Sequence, residues 1–219
     1  MMIAIEGLDG SGKETQTKML CKALQRQGES VEMLSFPRYG QSSAVLAESY
    51  LRGDFGVDPE AINAYGASSF FAMDRFASYL REWKPAFERC DVLLADRYVT
   101  SNAIHQCSKL PREEWESFLE WLFDYEYCKL MLPVPDRVFY LHLAVEDSQR
   151  LLDDRYGRNE FRKDIHERDI GYLTKSQAAA EYCAARCGWE RIECMEDGTL
   201  RSIKSIHAEL IERLGLQHV

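Results

Sequence analysis

The chain has 219 residues, enough for one compact domain with its own core. Hydrophobic residues make up 46% and charged residues 29%, which excludes a disordered protein. Acidic residues outnumber basic ones, 36 to 27, and the net charge is -9. Because proteins that hold long nucleic acids usually carry the opposite excess, we do not expect nucleic acid as a partner. A local cluster of arginines could still bind a small anion.

The seven cysteines do not have the spacing of a disulfide framework or a zinc site, and we expect reduced thiols. The chain begins directly with an apolar strand, without the basic segment and apolar core of a signal peptide. No apolar run is long enough to span a bilayer. These patterns predict a cytoplasmic protein without a membrane partner.

Short apolar runs alternate with helical patterns along the chain. The predicted strands lie at residues 1–5, 31–36, 92–95, 138–143 and 189–194, and the last pattern is the weakest. An amphipathic helix from about Lys13 to Gly28 follows the first strand, and longer helical patterns cover residues 60–80 and 101–128. This alternation predicts an α/β fold with a parallel sheet of about five strands and helices on both faces.

The segment between the first strand and the first helix has the pattern G-x-x-x-x-G-K, from Gly7 to Lys13. Glycines let the backbone turn its N–H groups toward a phosphate, and the helix N-terminus and Lys13 add positive charge. We therefore predict a phosphate-binding loop (P-loop) for ATP. Its candidate contacts are Gly7, Asp9, Gly10, Ser11, Gly12, Lys13, Glu14 and Thr15.

One residue departs from the usual P-loop pattern. The position after the lysine normally holds a Ser or Thr that binds Mg²⁺, but here it holds Glu14, followed by Thr15. A carboxylate is a hard oxygen ligand for Mg²⁺, yet it also repels a triphosphate. Two alternatives follow: Glu14 belongs to a shifted metal site, or it turns away and another carboxylate serves the metal.

Polar residues also follow the third predicted strand. Asp96, Arg97 and Tyr98 come directly after it, where ligands bind in open α/β sheets. The segment Phe36–Tyr39 closes the second strand in the same way and could face a phosphate or a sugar. We therefore expect an acceptor site near the P-loop.

Helical phase within residues 60–80 separates an apolar stripe from a mixed face. Phe71 and Arg75 lie one turn apart, opposite the stripe. The stripe consists of Ile62, Tyr65, Gly66, Ser69, Phe70, Met73, Phe76, Ala77 and Leu80. An aromatic ring and a guanidinium at this spacing suit a nucleobase, through stacking and a hydrogen bond to a carbonyl. The alternative is a second packed face beside a solvated charge.

Residues 153–169 are almost entirely polar and include five arginines or lysines. This composition is typical of a solvated loop and helix face. It also suits a mobile lid, at about residues 153–167, that brings arginines over a phosphate.

Together these segments resemble the thymidylate kinase family. The matching segments, in order, are IEGLDGSGKETQ, FPRYGQS, FFAMDR, DRYVTSNA, PDRVFYLHL and DIHERD, and the match is loose after residue 174. The resemblance implies a three-layer P-loop NTPase fold in one kinase domain (1–219) with the lid. It implies transfer of the γ-phosphoryl group of ATP to dTMP, in dTTP biosynthesis, with Mg²⁺ as cofactor and a homodimer as the assembly. The alternatives are another P-loop nucleoside or nucleotide kinase, or a nucleotide-binding module without catalysis.

The resemblance also implies roles for individual residues. Lys13 holds the ATP phosphates, Arg97 the acceptor phosphate, and Phe71 stacks on thymine while Arg75 and Asn102 read its edge. Position 10, where some relatives carry arginine, is glycine here, so the resemblance implies catalytic arginines in the lid: Arg155, Arg158 and Arg162. The other dTMP candidates are Asp9, Phe36, Tyr39, Ser101, His105 and His166, and the metal candidates are Asp9, Glu14, Asp96 and Glu167. His105 and His166 stand where some relatives carry tyrosines.

Overall fold

The computed structural model describes residues 1–156 and 165–216, and of residues 153–156, 167 and 168 it describes the backbone alone. Its central sheet is parallel throughout, in the order β2-β3-β1-β4-β5. The strands are β1 (Met2–Gly7), β2 (Val31–Ser35), β3 (Val92–Asp96), β4 (Arg137–His142) and β5 (Glu190–Glu193). Every strand lies within two residues of its predicted bounds, and the parallel α/β sheet is confirmed.

Helices connect the strands and cover both faces of the sheet. They are α1 (Lys13–Arg26), α2 (Val45–Arg52), α3 (Ala64–Ser78), α4 (Lys84–Arg89), α5 (Val99–Cys107), α6 (Trp115–Phe123), α7 (Val145–Tyr156), α8 (Ile165–Arg168), α9 (Ile170–Cys187) and α10 (Ile203–Arg213). A small hairpin, β6 (Met195–Glu196) and β7 (Thr199–Leu200), precedes α10. No helix of the described part is both long and apolar enough to cross a membrane.

The core has one layer on each side of the sheet. Met2 and Ala4 of β1 pack with residues of α5, α6 and α9, whereas Ile3 and Ile5 pack with residues of α1 and α10. Successive side chains of a strand point to opposite faces, so a strand covered on both sides must be apolar at nearly every position. This requirement explains the uniform apolar runs of β1 and β3.

One helix prediction was wrong. The segment 101–128 is not one helix, because the chain leaves α5 after Cys107 and passes through Pro111 before α6 begins at Trp115. In residues 60–80 the apolar stripe is not the buried face: Tyr65 is 39% and Leu80 is 57% exposed. The buried face of α3 instead carries Asp74 and Arg75. These charged side chains are buried because other groups of the protein pair with them.

Candidate active site

The P-loop joins β1 to α1. Gly10 and Gly12 have φ of +82° and +86°, in the left-handed region that favours glycine. Lys13 Nζ donates to the Leu8 carbonyl oxygen at 2.8 Å, so the lysine lies against the loop it follows. Burial, with the nearby Arg97 charge, lowers the pKa of Lys13 to about 8. The loop thus has the backbone and the cation that a polyphosphate requires.

Arg97 lies beside the P-loop because β3 is the neighbour of β1 in the sheet. Its φ of 65° turns the chain sharply at the strand end. Its guanidinium donates to the Asp9 carboxylate, and Lys13 Nζ lies 3.9 Å from the same carboxylate. Burial alone would raise the pKa of Asp9, but the Arg97 and Lys13 charges outweigh burial and lower it. Two cations therefore flank one carboxylate.

Glu6, which was not predicted, binds the residues that follow Arg97. It is fully buried in β1, and its carboxylate accepts from the Tyr98 backbone N–H at 3.0 Å and from Thr100 Oγ1 at 2.6 Å. A further bond of 2.8 Å comes from Ser101 Oγ. Burial raises the pKa of Glu6, and the Arg97 charge opposes that rise. An acidic residue at the end of an apolar strand was the signal that could have revealed it.

A pocket extends from Arg97 toward α3. It holds about 520 Å³ of space, including space open to solvent. All ten residues predicted for dTMP line it: Asp9, Phe36, Tyr39, Phe71, Arg75, Arg97, Ser101, Asn102, His105 and His166. The lining also includes Pro37 and Tyr98, which belong to segments expected near the acceptor site, and Leu51 and Gln106, which were not predicted. Residues from separate motifs therefore meet at one site.

The end of the pocket away from the P-loop holds the predicted base-reading residues. The Phe71 ring stands edge-on to Tyr50, with 5.9 Å between the ring centroids. Arg75 is 2% exposed and forms a bidentate ion pair with Glu126, of 2.7 and 2.6 Å. The alternative of a solvated charge at Arg75 is therefore wrong. Glu126 itself was not predicted.

His105 and His166 form a stacked pair in the pocket wall. Their ring centroids are 5.3 Å apart, and the planes differ by 14°. The Tyr172 ring stacks with both, at 4.6 Å from the His166 ring and 6.1 Å from the His105 ring. Burial and the Arg97 charge lower the pKa of His105 to about 3, and burial lowers that of His166 well below its ordinary value. The pocket wall therefore disfavours the protonated form of both rings.

The loop after β2 is held by Asp74 of α3, which was not predicted. The carboxylate accepts from the Arg38 backbone N–H at 2.8 Å and from Ser43 Oγ at 2.7 Å. Tyr39, in this loop, lines the pocket and is 62% exposed. Asp74 thereby fixes the loop that carries Tyr39.

Of the predicted metal candidates, the side chains of Asp9, Glu14 and Asp96 are described and that of Glu167 is not. The described residues contain no cluster of three or more His, Cys, Asp or Glu side chains placed to hold a metal ion. Glu14 is exposed and pairs with Lys18 one turn along α1. Asp96 is different, because its buried Oδ1 has no hydrogen-bond partner in the described part of the chain. Burial raises the pKa of Asp96.

Part of the predicted lid lies outside the described residues. Arg158 and Arg162 belong to that part, and the side chains of Arg155 and Glu167 are likewise not described. Arg155 stands in the last turns of α7, and Glu167 stands in α8. Their roles stay predictions.

Comparison with known proteins identifies the family. Residues 5–200 match the family model described as thymidylate kinase. The chain belongs to the thymidylate kinase family. A thymidylate kinase of Mycobacterium tuberculosis (strain ATCC 25618 / H37Rv) is 35% identical over 191 residues, which cover 86% of this chain and 87% of the relative. A probable thymidylate kinase of Pyrococcus abyssi is 30% identical over 161 residues, 74% of each chain.

A solved structure agrees in fold. The thymidylate kinase of Candida albicans superimposes with a TM-score of 0.70 at 17% identity, over 98% of this chain and 90% of that one. The predicted family, the P-loop fold and the class of enzyme, an ATP-dependent nucleoside monophosphate kinase, are confirmed. The roles of individual site residues stay predictions.

Proposed function

We propose that this enzyme transfers the γ-phosphoryl group of ATP to dTMP and yields dTDP and ADP, a step of dTTP biosynthesis. One observation carries the proposal for this site: ten residues drawn from separate motifs line a single pocket that begins at the P-loop. Arg97 stands at the P-loop end and Phe71 and Arg75 at the other. That order matches a nucleotide with its phosphate toward ATP.

The reaction needs charge compensation more than proton transfer. The acceptor is a phosphate oxygen that is already anionic near neutral pH, so no general base is required. Two anions must instead be brought into line, and positive groups must offset their repulsion. Lys13 would bind the ATP phosphates, and Arg97 would release Asp9 to bind the acceptor phosphate. Arginines of the lid would add charge at the moving group, an effect worth about 10³-fold in related phosphoryl transfer.

Asp96 is the carboxylate that best fits Mg²⁺. It ends β3, next to the P-loop strand, and its buried Oδ1 lacks a partner among the described residues. Mg²⁺ usually needs only one or two protein carboxylates, because phosphates and water supply its other ligands. When bound, it would neutralise charge between the β- and γ-phosphates. The ion pair of Glu14 with Lys18 favours the alternative in which Glu14 does not serve the metal.

We also propose a homodimer that forms through the apolar stripe of residues 62–80, most of which belong to α3. Tyr65 and Leu80 of this stripe are exposed, and Met73 and Phe76 between them are only half-buried. Trp121 of α6 continues the apolar surface, with its ring 4.6 Å from that of Tyr65. A second copy would cover this face.

We propose a cytoplasmic location. All seven cysteines are free, as is usual in that reducing compartment.

A panel of monophosphates tests the function. ADP release would be measured with Mg²⁺-ATP and dTMP, dUMP, dCMP, dGMP or dAMP. We expect dTMP to be the best acceptor and dUMP to be about 10- to 200-fold poorer, because it lacks only the 5-methyl group. The purine nucleotides should be near background because they are too large beside Phe71. Equal rates on dGMP and dTMP would contradict the proposal.

The same ADP-release assay, with thymidine as a further acceptor, separates the alternatives. A nucleoside kinase would phosphorylate thymidine, whereas an enzyme that uses Arg97 to hold an acceptor phosphate would not. A nucleotide-binding module without catalysis would consume no ATP when dTMP is added. Because Lys13 is the main P-loop cation, Lys13→Ala should keep the fold and lose most turnover.

A further inference from the structure

Glu126 lies behind the base end of the pocket and does not line it. It is fully buried in a π-helical segment, Asp124–Lys129, that continues α6. Besides the two bonds from Arg75, its Oε1 accepts from Asn102 Nδ2 at 2.9 Å. A single buried carboxylate therefore holds both polar residues that are proposed to read the base.

This contact fixes the orientation of the Asn102 amide. Nδ2 donates to Glu126 Oε1 at 2.9 Å and to the Ser68 carbonyl oxygen at 3.1 Å. An ionised carboxylate and a carbonyl can only accept, so both hydrogens of the amide nitrogen are used there. No described residue donates to Asn102 Oδ1. Asn102 therefore offers the pocket an acceptor and no donor.

Arg75 is constrained in the complementary way. Its Nε–H and one Nη2–H donate to Glu126, and Nη1 lies 3.4 Å from the Tyr98 carbonyl oxygen. A guanidinium has donors only, so whatever Arg75 offers to the pocket is a donor. The two residues together present a donor beside an acceptor.

A pyrimidine with a carbonyl at C4 and a hydrogen on N3 matches this pair. Thymine and uracil have O4, an acceptor, next to N3–H, a donor. Cytosine has an amino group at C4 and an unprotonated N3, which reverses both positions. With Arg75 and Asn102 held by Glu126, cytosine would place donor against donor and acceptor against acceptor.

We propose that Glu126 is a positioning residue that makes the enzyme select 4-oxo over 4-amino pyrimidines. It acts by fixing the Asn102 amide and the Arg75 guanidinium before the nucleotide binds. The inference rests on the proposed function, because it assumes that the base lies between Phe71 and these two residues. Glutamine at position 126 would have one acceptor oxygen in place of two, and the Asn102 amide would be free to turn.

The first experiment uses the wild-type enzyme and matched nucleotides. 5-Methyl-dCMP keeps the size and methyl group of dTMP and reverses the polar edge, while 3-methyl-dTMP keeps O4 and removes the N3 donor. We expect kcat/KM to be at least about 10-fold lower for each than for dTMP. If dTMP itself is not phosphorylated, the proposed function fails. If dTMP reacts and 5-methyl-dCMP is within a few-fold of it, only the present inference fails.

The second experiment uses Glu126→Gln, with the exposed Glu120→Gln on α6 as the matched control. We expect the kcat/KM ratio of dTMP to 5-methyl-dCMP to fall at least about 10-fold in Glu126→Gln and to stay unchanged in the control. Thermal melting accompanies both. A purely structural role would lower the melting temperature and the activity on both nucleotides without moving the ratio, and that result would overturn the proposal.

A third variant covers the case in which Glu126→Gln does not fold. Asn102→Ala removes the acceptor through which Glu126 acts and leaves the Arg75 ion pair in place. The loss of kcat/KM with 3-methyl-dTMP relative to dTMP should then become smaller, because only the size of the added methyl group still disfavours it. The kcat/KM ratio of dTMP to 5-methyl-dCMP should also fall. An unchanged ratio in Asn102→Ala would refute the proposal.

Discussion

Gly10 and Gly12 form a matched pair for testing how α7 constrains the P-loop. Both have left-handed backbone, with φ of +82° and +86°. A Cβ on Gly10 would lie 2.9 Å from the Ser148 carbonyl oxygen and 3.3 Å from Leu152 Cγ. A Cβ on Gly12 would meet no atom within 4 Å. The two alanine variants therefore share the backbone strain but differ in the clash with α7.

The difference has a calculable size. Left-handed backbone costs a non-glycine residue about 1–2 kcal/mol, and this term applies to both variants. The smaller entropy of the unfolded alanine chain also applies to both and cancels. Overpacking against a fixed backbone oxygen adds about 1–3 kcal/mol for Gly10→Ala alone. For a chain of this size, 1 kcal/mol shifts Tm by about 2–4 °C. We expect Gly10→Ala to melt about 2–12 °C below Gly12→Ala.

Denaturation of the nucleotide-free proteins, by heat and by urea, measures this difference without the phosphate contacts of either glycine. Equal loss of unfolding free energy in the two variants would refute the reasoning.

The space around Gly10 also bears on catalysis. An arginine at position 10 would need room for its side chain, and α7 leaves little room there. Gly10→Arg should therefore be at least as unstable as Gly10→Ala and should not supply a catalytic arginine.

Three further predictions follow from the site and the surface. The pKa of Lys13, about 8, should rise when a triphosphate binds, so ATP binding should take up more protons at pH 8.5 than at pH 7. Calorimetry in buffers of different ionisation enthalpy would measure this uptake, and Lys13→Ala should abolish the difference between the two pH values. Glu6→Gln should raise KM for dTMP about 10-fold and KM for ATP by less, because the Glu6 carboxylate holds the turn at Arg97. A KM for dTMP equal to that of the wild type would contradict this role. Leu80→Glu should shift the protein to a monomer in analytical ultracentrifugation, and an unchanged dimer would exclude the α3 stripe as the interface.

The fold was predictable because its signals are local. A strand covered on both faces must be apolar throughout, and G-x-x-x-x-G-K followed by a helix leaves few alternatives for the segment from Gly7 to Lys13. The pocket lining was predictable for a related reason: β1, β2 and β3 are adjacent parallel strands, so the motifs that follow them meet at one edge.

The residues beneath the site were not predictable in the same way. Glu126 pairs with Arg75 across 51 positions of sequence, and no periodicity connects them. Helical phase separated the two faces of α3 but did not show which face is buried. The face of Arg75 is buried because Glu126 pairs with the guanidinium, and the ion pair offsets part of the cost of burying the charge.

The buried carboxylates also explain how an acidic protein can bind two anions. At the base end, Arg75 and Glu126 form one closed ion pair, so this end is close to neutral and suits an uncharged base. At the phosphate end, Lys13 and Arg97 are two cations that share the Asp9 carboxylate. Both cations thus stand where phosphates would lie. The net charge of -9 belongs to the whole chain and places no limit on that local field.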